Sequence, residues 1–244
     1  VYLANPLRAI DVSNPAAPVE VGSYSTEGQS YGVAAAGDLV YLTDAIAGLK
    51  VLRASQLTPP AQVALSSYAQ SAKDVAVTGG YAYVADGHNG LKIIDVTNPA
   101  APAGVGQWDT PGWAAQAAVA GAHAYVADGA SGLRVLDVSN PAAPTEAGRL
   151  DTPGEAAGVA VAGNYAYVAD IGALRVIDVS DPAAPAEVGS YTAMLEARRV
   201  VVRGQYAYVL DGFGGLRIVS VANPAQPQLV GGHDMPGPRD IVVA

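Results

Sequence analysis

A chain of 244 residues that is half apolar and only 14% charged has the material for a well-buried globular core. A net charge of −9 with 13 Lys plus Arg repels a sheath of phosphates and excludes nucleic acid as a partner, and the absence of cysteine excludes disulfides, thiolate metal sites and a cysteine nucleophile. No run approaches the ~18 consecutive apolar residues of a membrane helix, so no membrane insertion is expected.

In chain order, Val1-Tyr2-Leu3 reads as the second strand of a repeat; the Val1-Tyr2-Leu3-Ala4 stretch has no basic n-region and is not read as a signal peptide. From there one phrase recurs: Tyr-Val-Ala-Asp or a variant, ending at Asn5, Asp44, Asp86, Asp128, Asp170 and Asp211, with spacings of 39, 42, 42, 42 and 41 residues. A second phrase accompanies each, Leu-Arg-Val-Ile-Asp-Val-Ser and then Asn or Asp-Pro-Ala-Ala-Pro. It is clearest from Leu91 to Pro102, Leu133 to Pro144 and Leu174 to Pro185, and present from Arg8 to Pro18 and Leu216 to Pro227. The second copy is degenerate, with Arg53-Ala54-Ser55 in place of its core.

Each copy predicts four short strands. In the fifth they are Gly158 to Ala162, Tyr165 to Ala169, Leu174 to Val179 and Glu187 to Tyr191, broken by a Gly163-Asn164 turn, a tight turn after Asp170 and the Pro182–Pro185 loop. Glycine supplies positive φ at such turns, proline cannot sit inside a central strand, and links this short demand antiparallel hairpins. Segments such as Val200-Val201-Val202 are apolar on both faces, so both sides of each sheet must be covered. Sheets packed radially satisfy this, and four strands per roughly 40 residues is the signature of a propeller blade. Small Ala and Gly on the first strand suit a crowded axis; Tyr24, Trp108, Leu150 and Tyr191 on the fourth suit a wide rim. At the far end Arg239 to Ala244 reads as a first strand without a successor. Pairing Ile241-Val242-Val243 with Val1-Tyr2-Leu3 would complete the first blade and leave no open edge. The prediction is one all-β domain over residues 1–244: a six-bladed β-propeller of four-stranded antiparallel blades, closed by its two ends.

The Tyr-Val-Ala-Asp…Leu-Arg-Val-Ile-Asp-Val-Ser-Asn-Pro-Ala-Ala-Pro pattern resembles the LVIVD-repeat family of bacterial and archaeal surface proteins, over essentially the whole chain, and lacks the Trp-Asp signature of WD40 repeats. The resemblance implies an extracellular or cell-surface propeller, often part of a longer secreted or anchored protein, with a signal peptide expected upstream. It transfers no catalytic residue and no cofactor.

Positions that repeat build the blade; function belongs where the repeat fails. That happens at the entrance to the inner strands, with Tyr31, Lys73-Asp74, Arg198-Arg199 and Arg239-Asp240, preceded by Trp113, Glu155 and Glu196. Four of the 13 cations clustered at one channel mouth beside aromatic rings predict a site for a carboxylate, a sulfated or uronic sugar, or an acidic peptide; the competing expectation is that the charges pair across the mouth and plug it. The Asn5, Asp44, Asp86, Asp128, Asp170 and Asp211 series suggests a ring for a hard cation, but an Asp ending a strand accepts backbone N–H bonds and shapes the turn, and no loop has EF-hand spacing. Asp11, Asp95, Asp137 and Asp178 are read the same way. His88 and Ser131 are the only loose catalytic candidates on that face, and no nucleophile elbow, phosphate loop or zinc motif occurs. The functional expectation is a non-enzymatic binding or structural module, with a protein or an anionic glycan as partner and no cofactor. The alternatives are an enzyme on an anionic sugar or small acid, with Glu155 or Glu196 as acid or base, and a self-assembling lattice or filament subunit.

Overall fold

The alternation of short apolar runs with Gly and Pro turns folds into antiparallel hairpins throughout a computed structural model that describes residues 2–3, 7–11, 14, 19–26, 28–57 and 60–234. Five sheets have four strands each, joined in sequence order from the inside outward. Blade two comprises Ser30–Ala36, Leu39–Asp44, Gly48–Leu57 and Pro60–Ser66; blade three, Asp74–Thr78, Tyr81–Ala85, Leu91–Asp95 and Ala103–Trp108. Blade four comprises Gln116–Ala120, His123–Ala127, Leu133–Asp137 and Thr145–Leu150; blade five, Ala156–Ala162, Tyr165–Asp170, Ala173–Asp178 and Ala186–Tyr191. Blade six comprises Ala197–Arg203, Tyr206–Asp211, Gly215–Ser220 and Gln228–His233. Blade one shows three strands, Tyr2–Leu3, Leu7–Asp11 and Val19–Tyr24. The protein is a six-bladed β-propeller. The predicted closing strand at residues 241–243 lies outside the described residues, as does Asn5.

Burial follows the radial arrangement. The second strand of blade five is covered on both faces from Ala166 to Asp170, whereas the fourth strands of blades one and five are largely exposed. The described core is a series of five layers, each between neighbouring blades. In one, Leu174 and Val176 of blade five meet Val200, Val209 and Val219 of blade six. The rim residues Tyr24, Trp108, Leu150 and Tyr191 each stand opposite the leucine near the start of the third strand and pack onto one of these layers.

The loops repeat for a local reason. Asp95, Asp137 and Asp178 accept the backbone N–H two residues on, at 2.8 Å in each case. In blades three to six the Asn or Asp that opens the Pro-Ala loop does the same, as in Asn140 Oδ1 from Ala142 N at 3.2 Å and Asp181 Oδ1 from Ala183 N at 3.0 Å. Blade two lacks this Asp–Asn device. There the third strand runs ten residues and the hairpin extends to a Leu57–Pro60 pair.

Candidate functional site

The turns between second and third strands share one face of the disc with the links from blade to blade, joined by backbone bridges such as Gly87–Ala114 and Gly129–Ala156. On this face the strand-ending aspartates are structural staples. Asp44, Asp86, Asp128, Asp170 and Asp211 are buried, and each takes hydrogen bonds from the link entering its own blade: Gly28 N to Asp44 at 3.2 Å, Gln70 N to Asp86 at 3.3 Å, Gly112 N to Asp128 at 2.9 Å, Gly154 N to Asp170 at 3.0 Å, and Leu195 N and Glu196 N to Asp211 at 3.0 and 2.8 Å. Apart from Oδ1 of Asp128, these carboxylates spend their oxygens on the links, the turns and neighbouring side chains, and among the described residues no group of three or more His, Asp or Glu side chains is arranged to hold a metal ion.

Countercharges for three of them come from a series that sequence reasoning passed over. The residue after the leucine of each third strand is basic: Arg8, Lys50, Lys92, Arg134, Arg175 and Arg217. Lys50 Nζ lies 3.5 Å from Asp44, Arg134 Nε 3.8 Å from Asp128, and Arg175 Nε bonds Asp170 directly. A charge at a fixed place in an otherwise apolar strand was the available signal, since a buried charge needs a partner. Six of the 13 cations thus belong to the scaffold repeat, which makes those left at the mouth more distinctive.

At the axis the links and inner-strand starts enclose a cavity of about 720 Å³. Seven predicted residues line it: Tyr31, Lys73, Trp113, Glu155, Glu196, Arg198 and Arg199. Asp74 stands beside it, held by Arg199, and Arg239 and Asp240 lie outside the described residues. The remaining wall is His88 with small or apolar groups, including Ala115, Ala130, Ala157 and Ile171.

The charges divide into two kinds. Arg199 Nη1 donates to Asp74 Oδ1 at 2.8 Å, joining the inner strands of blades six and three, which face each other across the axis. Arg198 Nη2 donates to Glu196 Oε1 at 2.7 Å. The expected cross-mouth pairing is therefore real for Arg199, while Arg198 pairs within its own blade entrance. Lys73 is held differently. Its Nζ stands 4.5 Å from the Tyr31 ring centroid and 5.0 Å from that of Trp113, and His88 meets Trp113 edge-on at 4.4 Å. Burial pulls the Lys73 ammonium below its ordinary pKa, against the opposing charge of Asp86. Ring faces stabilise a cation but offer its N–H groups no lone pair.

Fold and cavity define a β-propeller with a pocket at one end of its axis. The LVIVD repeat family model matches residues 1–26, 69–110, 111–152, 153–193 and 196–234, and the chain belongs to that family. The stretch between the first two matches is blade two, the copy without the Asp–Asn loop. No curated protein matches the chain. Among solved structures, a functionally unknown protein from Desulfotomaculum acetoxidans DSM 771 is similar at 16% identity and a TM-score of 0.76, over 90% of this chain and 75% of that one. The computationally designed Ika8 protein is similar at 11% identity and a TM-score of 0.70, over 90% of this chain and 66% of that one. At these identities the likeness concerns the fold alone.

Proposed function

We propose that this propeller is a non-enzymatic binding module of a bacterial secreted or surface protein, and that its ligand sits in the cavity at the channel mouth. The observation that carries this reading is that residues where the repeat fails, contributed by blades two to six, line a single cavity. Its volume falls within the ~300–1,000 Å³ of small-molecule sites. The family resemblance supports the extracellular setting. The aspartates that most resemble a site are consumed by the backbone, which removes the competing location on the same face.

The test is a screen of small anions, neutral sugars and acidic glycans by tryptophan fluorescence, since only Trp108 and Trp113 emit and only Trp113 lines the cavity. Binding that is saturable in a Trp108→Phe variant, with the ligand recovered unchanged, is the expected result. Turnover of the ligand, abolished by a conservative change such as Glu155→Gln, would overturn it.

A further inference from the structure

The chain has only three lysines, and they are not equivalent. Lys50 lies 3.5 Å from Asp44; Lys92 donates to Gln107 at 2.6 Å and lies 4.0 Å from Asp109. Both belong to the third-strand series. Lys73 belongs to an inner-strand entrance, lines the cavity, and has two aromatic rings but no hydrogen-bond acceptor within reach among the described residues, the Asp86 carboxylate acting on it only through its field. Tyr31 and Trp113, from the entrances to blades two and four, hold this ammonium from either side of blade three. A half-buried ammonium with open donors is completed by an anionic oxygen, and a charge-assisted bond there is shorter and stronger than a neutral one.

The rest of the wall says what the anion is attached to. The two cavity arginines are committed to Glu196 and Asp74. Beyond the Lys73 box, blades four and five present Ala115, Ala130, Ala156, Ala157 and Ile171, with the exposed Glu155 the charged group on that side. A sugar acid laid there would bury several hydroxyls against carbon, and each hydroxyl left without a partner is costly. An apolar body instead gains by leaving water.

We infer that Lys73 receives the carboxylate of a small amphipathic acid, whose aromatic or branched apolar body lies along Ala115, Ala130, Ala157 and Ile171. This rests on the reading that the cavity is a binding site. Of the carboxylate, acidic sugar and acidic peptide suggested by the sequence, it keeps the carboxylate and gives it an apolar body.

The experiment titrates phenylacetate, its neutral isostere phenylacetamide, and galacturonate into the Trp108→Phe protein, following Trp113, and repeats the phenylacetate titration with Lys73→Met added. Phenylacetate is expected to saturate, with phenylacetamide and the Lys73→Met variant each weaker by about tenfold or more, and galacturonate weaker than phenylacetate. The amide comparison uses the unaltered lysine, so it stands even if the Lys73→Met variant folds poorly. Equal binding of acid and amide overturns the inference, as does no saturation by phenylacetate, or unchanged affinity in a Lys73→Met variant of normal melting temperature. Tighter binding of galacturonate overturns the apolar body while leaving the cavity as the site. A neutral sugar from the wider screen that perturbs Trp113 overturns the role of Lys73 and leaves the binding module standing.

Discussion

Asp211 and Asp128 occupy the same place in two blades and are served differently. Burial alone would raise the Asp211 carboxyl, but the backbone N–H groups of Leu195, Glu196, Phe213 and Gly214 hold it below the usual carboxylate value. Asp128 is pushed up by burial, which outweighs the neighbouring Thr110 hydroxyl, the N–H of Gly112 and the charge of Arg134, and no donor lies within normal hydrogen-bond distance of its Oδ1. A carboxyl whose folded pKa is depressed contributes stability above its unfolded value of about 3.9, and that stability is lost as pH falls through the folded pKa. A raised one contributes below its unfolded value and loses the contribution as pH rises. Asp211→Asn is therefore expected to cost about 1–3 kcal/mol at neutral pH, because the amide brings two donors to a set of donors. The deficit shrinks on acidification below about pH 4. Asp128→Asn should cost less, by about 1 kcal/mol or more. Urea denaturation of both variants at neutral and acid pH checks the ordering; equal losses at both pH values would refute it. The sequence showed that these aspartates end strands and shape turns. It could not show which of them is fully hydrogen-bonded, because the donors come from links about 16 residues upstream whose path depends on the assembled blade.

Single strands and their turns were legible because their causes are local. The Asx turns act over two residues, and the glycine turns need only a positive φ, as at Gly132, φ 72°, where an added Cβ would also lie 2.3 Å from the carbonyl of Leu150. Contacts between blades were less legible. Gly148, on the fourth strand of blade four, is extended and needs no unusual φ, so nothing local requires glycine there. The requirement comes from the next blade: a Cβ at Gly148 would stand 2.3 Å from the Pro182 carbonyl oxygen and 2.9 Å from the Ala183 carbonyl carbon. Gly106 meets Pro141 of its own neighbour in the same way, at 2.0 Å. The Pro-Ala-Ala-Pro loops are thus packing elements between blades. Gly148→Ala is expected to destabilise by about 1–3 kcal/mol, since two backbones must separate to admit one methyl. Thermal melting reads the loss. A melting temperature equal to that of the unaltered protein would mean that the loop yields freely.

Across the whole molecule, the contact hardest to anticipate is the Arg199–Asp74 pair, which joins residues 125 apart in sequence. The repeat placed both at the channel mouth, and cross-mouth pairing was one of two expectations. Choosing the partners required the six-fold geometry that sets blade three opposite blade six. The two side chains are 14% and 9% exposed, so the pair is largely shielded from solvent. Removing one partner of such a pair leaves an uncompensated charge, whereas removing both restores neutrality. Arg199→Met is expected to cost about 3 kcal/mol or more, Asp74→Asn somewhat less, and the double variant less than the sum by at least about 1 kcal/mol. Chemical denaturation of the four proteins closes the cycle. Because the pair spans the axis, the loss should also appear as faster hydrogen exchange in the inner strands of blades three and six together, with blade four less affected. Faster exchange confined to blade six, with additive single-variant losses, would mean that each charge is satisfied within its own blade and that the axis is not braced by this pair.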